Sequence, residues 1–319
     1  MRILALVPGG IGDQILFFPT IADLKERYPE AMIDVLVEPR AKAAYRICTN
    51  VHEILTFDFK DRNGPADYLN VLGIMRDREY DIALSLDKNW VVDLLLWLNG
   101  IPVRVGYKTS SSLFLTDQTP LNEDQYAANQ YHDLLKSLGI DKSTPPITVT
   151  VPNFDIQWAE GEQKRLGLTD GYVLIHGGAS KSSQKRGVDK LYPLEQWGEI
   201  LKDIKEKQPN LPIVLLQGPE DDDWVTALSD RFGPLKVTMP EDIGKSAAMI
   251  AGANLLVCTD SAPMHLAIAV GTYTVALFGA TKIETCLPIS SDKFTGIQSS
   301  TGRMADIKPK DVLSQIWRG

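Results

Sequence analysis

The chain has 319 residues, long for one hydrophobic core and comfortable for two domains of about 150. Apolar residues make up 44% and charged residues 23%, the proportions of an ordinary globular chain. Lys+Arg 33 against Asp+Glu 41 gives −8 and a pI near 5.1, which argues against broad nucleic-acid binding, because that needs a basic footprint.

The first elements alternate. Residues 3–7, 33–37, 54–57 and 82–86 are short β-branched or apolar runs and read as strands. Residues 13–27, 65–78 and 91–98 read as helices. Asp13 is placed to cap the first, with Ile15, Phe18, Ala22 and Leu24 on its buried side. Pro19 should kink that helix and Tyr28-Pro29 should end it. The apolar run 90–98 is interrupted by Asp93 and is far short of the ~20 residues of a membrane span, so it reads as a buried helix. Residues 125–138 read as one further helix, stopped by Gly139.

Residues 141–152 hold Pro145, Pro146 and Pro152 among Ser and Thr and read as a linker. The rhythm then restarts, with strands at 172–175, 213–216, 235–237, 255–258 and 274–278. Helices are expected at 193–205, 221–231, 243–251 and 263–270. The fold class is therefore α/β, with Rossmann-like domains over 1–150 and 151–319 and mainly parallel sheets. Ligand sites are expected at the carboxyl ends of strands, in a cleft between the two.

Cys48, Cys258 and Cys286 are odd in number without CxxC spacing, which suits a reducing compartment. Only Arg2 precedes an apolar stretch that stops at Pro8, so no secretory signal is expected and the location is read as cytoplasmic. His52, His132, His176 and His265 show no close ligand spacing, so no metal is expected.

Two strand-to-helix turns carry the chemistry. In the first, Gly9, Gly10 and Gly12 allow a tight turn beside a ligand, and Asp13 follows them. A carboxylate there can take a proton from a hydroxyl nucleophile or simply cap the helix. Gly10-Ile11-Gly12 with Glu38 also imitates a dinucleotide fingerprint, but Ile15 holds the third glycine position and Asp13 would repel a pyrophosphate. In the second turn, Asp260 follows a buried strand. The N–H groups of Ser261, Ala262 and Met264, with the Ser261 hydroxyl, can hold a pyrophosphate at a helix N-terminus. His265 lies on the first turn of that helix, and Gly271 ends it.

These segments, together with Ala267-Ile268-Ala269-Val270-Gly271 and Val275-Ala276-Leu277-Phe278-Gly279-Ala280-Thr281, resemble the hallmark segments of glycosyltransferase family 9, the ADP-heptose:lipopolysaccharide heptosyltransferases. The resemblance covers nearly the whole chain. It implies a GT-B fold, acceptor in the first domain and nucleotide-sugar in the second, with the last helix packing back on the first. It also implies inverting, metal-independent transfer with no cofactor beyond an ADP-sugar donor. The acceptor would be a glycan or lipid-linked, with peripheral contact at the inner membrane face.

On that resemblance Asp13 is the base, and Lys190, just before Tyr192-Pro193, reaches the donor phosphates. Ser180, in the His176–Ser180 segment, joins the donor site, with His265 beside the second turn. Asp260 contacts the donor sugar, and Asp221 the ribose. The run Glu220-Asp221-Asp222-Asp223 otherwise reads as a helix N-terminus, where acids favour the dipole, rather than as metal ligands. The loop 181–187 is a candidate basic lid, and Lys60, Arg62, Arg104 and Lys108 are candidates to meet an anionic acceptor. Ala262 replaces a frequent family glycine and Ala280-Thr281-Lys282 a usual Pro-Thr-Asp run. An NAD-dependent oxidoreductase and a nucleotide-sugar-binding homologue without turnover are the alternatives.

Overall fold

The computed structural model describes residues 1–59, 64–109, 112–178, 190–288 and 291–318. Ser180, Lys60, Arg62 and the candidate lid at 181–187 lie outside the described residues. The chain divides into two compact units, Met1–Thr150 and Val151–Gly319.

The first unit runs β1 (Arg2–Val7), α1 (Ile11–Arg27), β2 (Met32–Val37), a 3-10 helix (Pro39–Ile47), β3 (Glu53–Thr56), α2 (Pro65–Arg76), β4 (Ile82–Ser85), α3 (Trp90–Leu98), β5 (Val103–Tyr107), β6 (Asp117–Thr119), α4 (Ala127–His132) and a second 3-10 helix (Asp133–Leu138). Its six strands lie in the order β3-β2-β1-β4-β5-β6. Every pairing is parallel. Ile3, Leu4, Ala5, Leu6 and Val7 are all buried, because a parallel strand between helices has no wet face.

The second unit runs α5 (Asn153–Leu166), β7 (Val173–His176), α6 (Leu194–Lys207), β8 (Ile213–Leu216), α7 (Asp222–Phe232), β9 (Lys236–Thr238), α8 (Ile243–Ala251), β10 (Leu255–Thr259), α9 (Ala262–Val270), β11 (Thr274–Phe278), α10 (Ile283–Cys286), β12 (Phe294–Gln298), a 3-10 helix (Met304–Asp306) and α11 (Pro309–Ile316). The strand order is β12-β11-β10-β7-β8-β9, again parallel throughout. Trp197, Ile200 and Leu201 of α6 and Val312 of α11 share its main core.

Read from its own first strand, each sheet has the same winding. Order reverses between β1 and β4 in the first unit and between β7 and β10 in the second. Ligands of doubly wound sheets bind where neighbouring connections diverge, at the carboxyl ends of those strands. The Gly9 turn follows β1, and the Asp260 turn follows β10.

Some local expectations change. Residues 125–138 form a short α-helix and a 3-10 helix rather than one helix. Gly139 does end the segment, in the left-handed conformation at φ 74°. Pro19 lies inside α1, and the helix ends at Arg27, just before Tyr28-Pro29, as expected. The helix α3 is buried on one side only, through Val92, Asp93 and Leu96, while Trp90 (49%), Trp97 (50%) and Leu98 (47%) are exposed. Within its own unit the last helix, α11, packs on α6, on the edge strand β12 and on its neighbour β11.

Candidate functional site

The first turn is built around a carboxylate. Gly9 has φ +119°, and a Cβ there would lie 2.3 Å from Asp13 Oδ2, so the position suits glycine on both counts. The Gly10 N–H donates to Asp13 Oδ2 at 2.7 Å, and Gly10 is the N-cap residue of α1. Gly12 lies in the first turn of the same helix. The Tyr131 hydroxyl donates to Asp13 Oδ1 at 3.2 Å. Asp13 therefore does cap α1, yet it remains half-buried, and each oxygen keeps a further lone pair. Behind it, buried Gln14 donates to the Val7 carbonyl at 3.0 Å and accepts from Tyr45 at 2.8 Å, fixing the strand-to-helix junction.

Glu38 is buried and paired with Arg40 at 2.9 Å. The Arg104 guanidinium donates to the carbonyls of Phe114 and Ile101. Lys108 is exposed.

The second unit brings together residues expected at the donor site. The Lys190 ammonium lies 2.6 Å from Asp260 Oδ2 and 3.1 Å from the Asp260 carbonyl. The Thr281 hydroxyl, in the turn after β11, donates to the same Oδ2 at 2.8 Å. Burial by itself would raise the Asp260 pKa, but the Lys190 charge and hydrogen bond, with His265 and Thr281, hold it below the ordinary carboxylate value. His265 is buried on the first turn of α9.

Of the expected pyrophosphate donors, Met264 N–H is already engaged, donating to the Ser261 carbonyl at 3.1 Å. The Ser261 hydroxyl donates to the Thr259 carbonyl at 3.0 Å. The N–H groups of Ser261 and Ala262 remain at the helix end, where no intrahelical acceptor exists. Among the described residues only Glu79 has positive φ outside glycine, so Ala262 has the negative φ that its donation requires.

The turn after β7 meets this site. Thr259 Oγ1 donates to the Gly178 carbonyl at 3.3 Å. A Cβ on Gly178 would fall 1.8 Å from Asp221 Oδ1, so Asp221 packs directly against that backbone. Asp221 is buried and takes the Gly218 N–H on Oδ2 at 2.7 Å. His176 donates from Nδ1 to the Leu216 carbonyl at 3.0 Å, with Asp221 Oδ2 at 3.7 Å. Asp222 accepts from Gln217 and opens α7, as the helix-terminus reading expects. Among the described residues no group of three or more His, Cys, Asp or Glu is arranged to hold a metal ion.

Sequence reasoning missed Tyr131 on Asp13 and Thr281 on Asp260. Those contacts span 118 and 21 residues, and no local spacing announces them. Asp260, Lys190, Asp221 and Gly178 do converge at the carboxyl ends of β7 and β10.

Residues 72–316 match the model of glycosyltransferase family 9 (heptosyltransferase). The chain is 28% identical over 345 residues to the Arabidopsis thaliana chloroplast protein named photosynthetic NDH subunit of subcomplex B 1, covering 100% of this chain and 74% of that one. It is 27% identical over 300 residues to lipopolysaccharide heptosyltransferase 3 of Escherichia coli, covering 85% of this chain and 81% of that one. The solved E. coli ADP-heptose LPS heptosyltransferase II superposes with a TM-score of 0.78 at 20% identity, covering 99% of this chain and 97% of that one, which places the fold in the GT-B class. The first turn lies outside the matched span, but the superposition extends over it. With two doubly wound units and a family match over most of its length, the chain belongs to glycosyltransferase family 9.

Proposed function

We propose that the chain transfers a heptose from ADP-heptose to a hydroxyl of a lipopolysaccharide-type acceptor, with inversion and without a metal. The observation that carries this reading is the Lys190–Asp260 pair beside the free N-terminus of α9, at the switch point of the second sheet. Support comes from the E. coli relatives, whose names specify heptose transfer to lipopolysaccharide.

Asp13 takes the proton of the acceptor hydroxyl as its oxygen bonds to the anomeric carbon. The bond from that carbon to the phosphate oxygen breaks, and ADP leaves with the electron pair. Lys190 and the N–H groups of Ser261 and Ala262 offset the charge growing on the departing diphosphate. Asp260, held by Lys190 and Thr281, meets sugar hydroxyls, and Asp221 the ribose. No cofactor beyond the donor is required.

We further propose a cytoplasmic location with peripheral membrane contact through Trp90, Trp97 and Leu98 on α3 and through Leu113, which is 86% exposed. Among the described residues no helix is long and apolar enough to cross a membrane. Flotation with anionic vesicles, compared between wild type and Trp97→Ser, tests the contact.

A second reading follows from the Arabidopsis relative, which is named as a subunit of an assembly: binding of the nucleotide-sugar without transfer. The decisive assay mixes the protein with ADP-heptose and heptose-deficient lipopolysaccharide and measures ADP release and the mass of the acceptor. Tight ADP-heptose binding by calorimetry without a gain in acceptor mass would favour the second reading.

A further inference from the structure

The helix α4 is fixed to α1 by a contact that sequence does not announce. His132 Nε2 lies 2.7 Å from Asp23 Oδ2, and both side chains are buried, at 2% and 3% exposure. The Lys142 ammonium lies 3.1 Å from Asp23 Oδ1. A pair so enclosed costs much to break, so it holds α4 against the body of α1. The residue before His132 is Tyr131. Its ring packs against Phe17 of α1 at 6.3 Å between centroids, and its hydroxyl reaches Asp13 Oδ1 at 3.2 Å.

Asp13 is thus gripped at both oxygens. The Gly10 N–H takes Oδ2, and the Tyr131 O–H takes Oδ1. A carboxylate with one oxygen tied can still rotate through its broad χ2 well, whereas two donors from separate elements fix its plane. Fixing the plane aims the remaining lone pairs, and a general base works only when its lone pair points at the proton it takes.

We propose that Tyr131 is a positioning residue for Asp13, clamping the carboxylate from a helix that the buried His132–Asp23 pair anchors. The proposal rests on the reading of Asp13 as the base. In the transfer step the acceptor proton passes to Asp13, the acceptor oxygen bonds to the anomeric carbon, and the diphosphate departs with its electrons. Tyr131 exchanges no proton with the acceptor in this scheme; it acts through Asp13.

A double-mutant cycle tests this with ADP-heptose and heptose-deficient lipopolysaccharide. Tyr131→Phe keeps the ring on Phe17 and removes only the hydroxyl. A hydrogen bond to a charged group corresponds to roughly tenfold in rate or somewhat more, so kcat should fall about tenfold with the donor KM unchanged. In an Asp13→Asn background the same change should cost no more than about twofold, because the clamp no longer has a base to aim. An unchanged kcat in Tyr131→Phe overturns the proposal. So does an equal loss in both backgrounds, which would make Tyr131 a packing residue. Wild-type turnover in Asp13→Asn alone would instead remove the base reading, and the proposal would fall with it for that separate reason.

Discussion

Lys190 and Asp260 stand 70 residues apart in the sequence and 2.6 Å apart in the structure. In the proposed function the two groups form the donor side, and removing either one tests a different property. Lys190→Ala should weaken ADP binding about tenfold or more, because a cation facing a diphosphate at a helix N-terminus loses its role there. Stability should fall less than for a sealed ion pair, because the lysine side chain is 21% exposed. Calorimetric titration with ADP checks this. A wild-type Kd in the variant would reduce Lys190 to a tether for Asp260.

The same pair predicts an acid response. The Asp260 carboxyl is held below its ordinary value of 3.8. A depressed folded-state pKa contributes stability that is present above 3.8 and lost as pH falls through the lower folded value. Urea unfolding from pH 6 to pH 2 should therefore show wild type losing stability below about pH 4 more steeply than Asp260→Asn. Parallel curves for the two proteins would contradict the assignment.

Much of this was readable from residue pattern. The strands follow the apolar runs closely, because a strand buried on both faces needs no alternation to be recognised. The two turns were readable because Gly9-Gly10 and Asp260-Ser261 follow such runs directly. What failed has physical causes. The run Trp90–Leu98 is apolar all round except for Asp93, so no polar stripe marked the solvent side, and burial was expected where Trp90, Trp97 and Leu98 are exposed. Residues 125–138 tighten into a 3-10 helix next to His132, which a distant partner, Asp23, anchors. Met264 N–H was counted as free, yet the turn consumes it on the Ser261 carbonyl.

Asp93 itself yields a prediction. It is buried in α3, its Oδ1 has no hydrogen-bond partner, and burial, with Asp87 nearby, pushes its pKa up to about 6. A raised folded-state pKa gives stability that is present below 3.8 and lost as pH rises through about 6. Asp93→Asn should thus stabilise the protein at pH 8, on the order of 1–3 kcal/mol, and have little effect at pH 4. Denaturant unfolding at the two pH values decides. Destabilisation at pH 8 would show that the carboxylate is used as an ion.

Metal independence is a separate expectation. Asp221 accepts from Gly218 and packs on Gly178, while Asp222 accepts from Gln217, so the acids of this run are engaged in shaping turns. In the proposed function Lys190 supplies the charge neutralisation that a divalent ion would supply elsewhere. Transfer should survive excess EDTA. Loss on chelation and recovery with Mg²⁺ or Mn²⁺ would return the acidic run to consideration as ligands.

The last prediction separates the two roles of Asp13, because the structure shows the cap directly while the base rests on chemistry. Asp13→Asn retains a side-chain oxygen for the Gly10 N–H, so α1 keeps its start and the unfolding midpoint should change little. Proton acceptance is removed, and transfer should fall on the order of 10²–10⁴-fold with ADP affinity unchanged. Gly9→Ala is the complementary change. It leaves the carboxylate in place chemically but forces a methyl group 2.3 Å from Oδ2 at a φ of +119°. That variant should lose about 1–3 kcal/mol of stability from backbone strain and also lose transfer, because Asp13 must move aside. Both variants are measured by thermal unfolding and by ADP release in the presence of acceptor. If Asp13→Asn turns over like wild type while Gly9→Ala is merely less stable, Asp13 is a cap alone, and the base must be sought among other groups of the acceptor site.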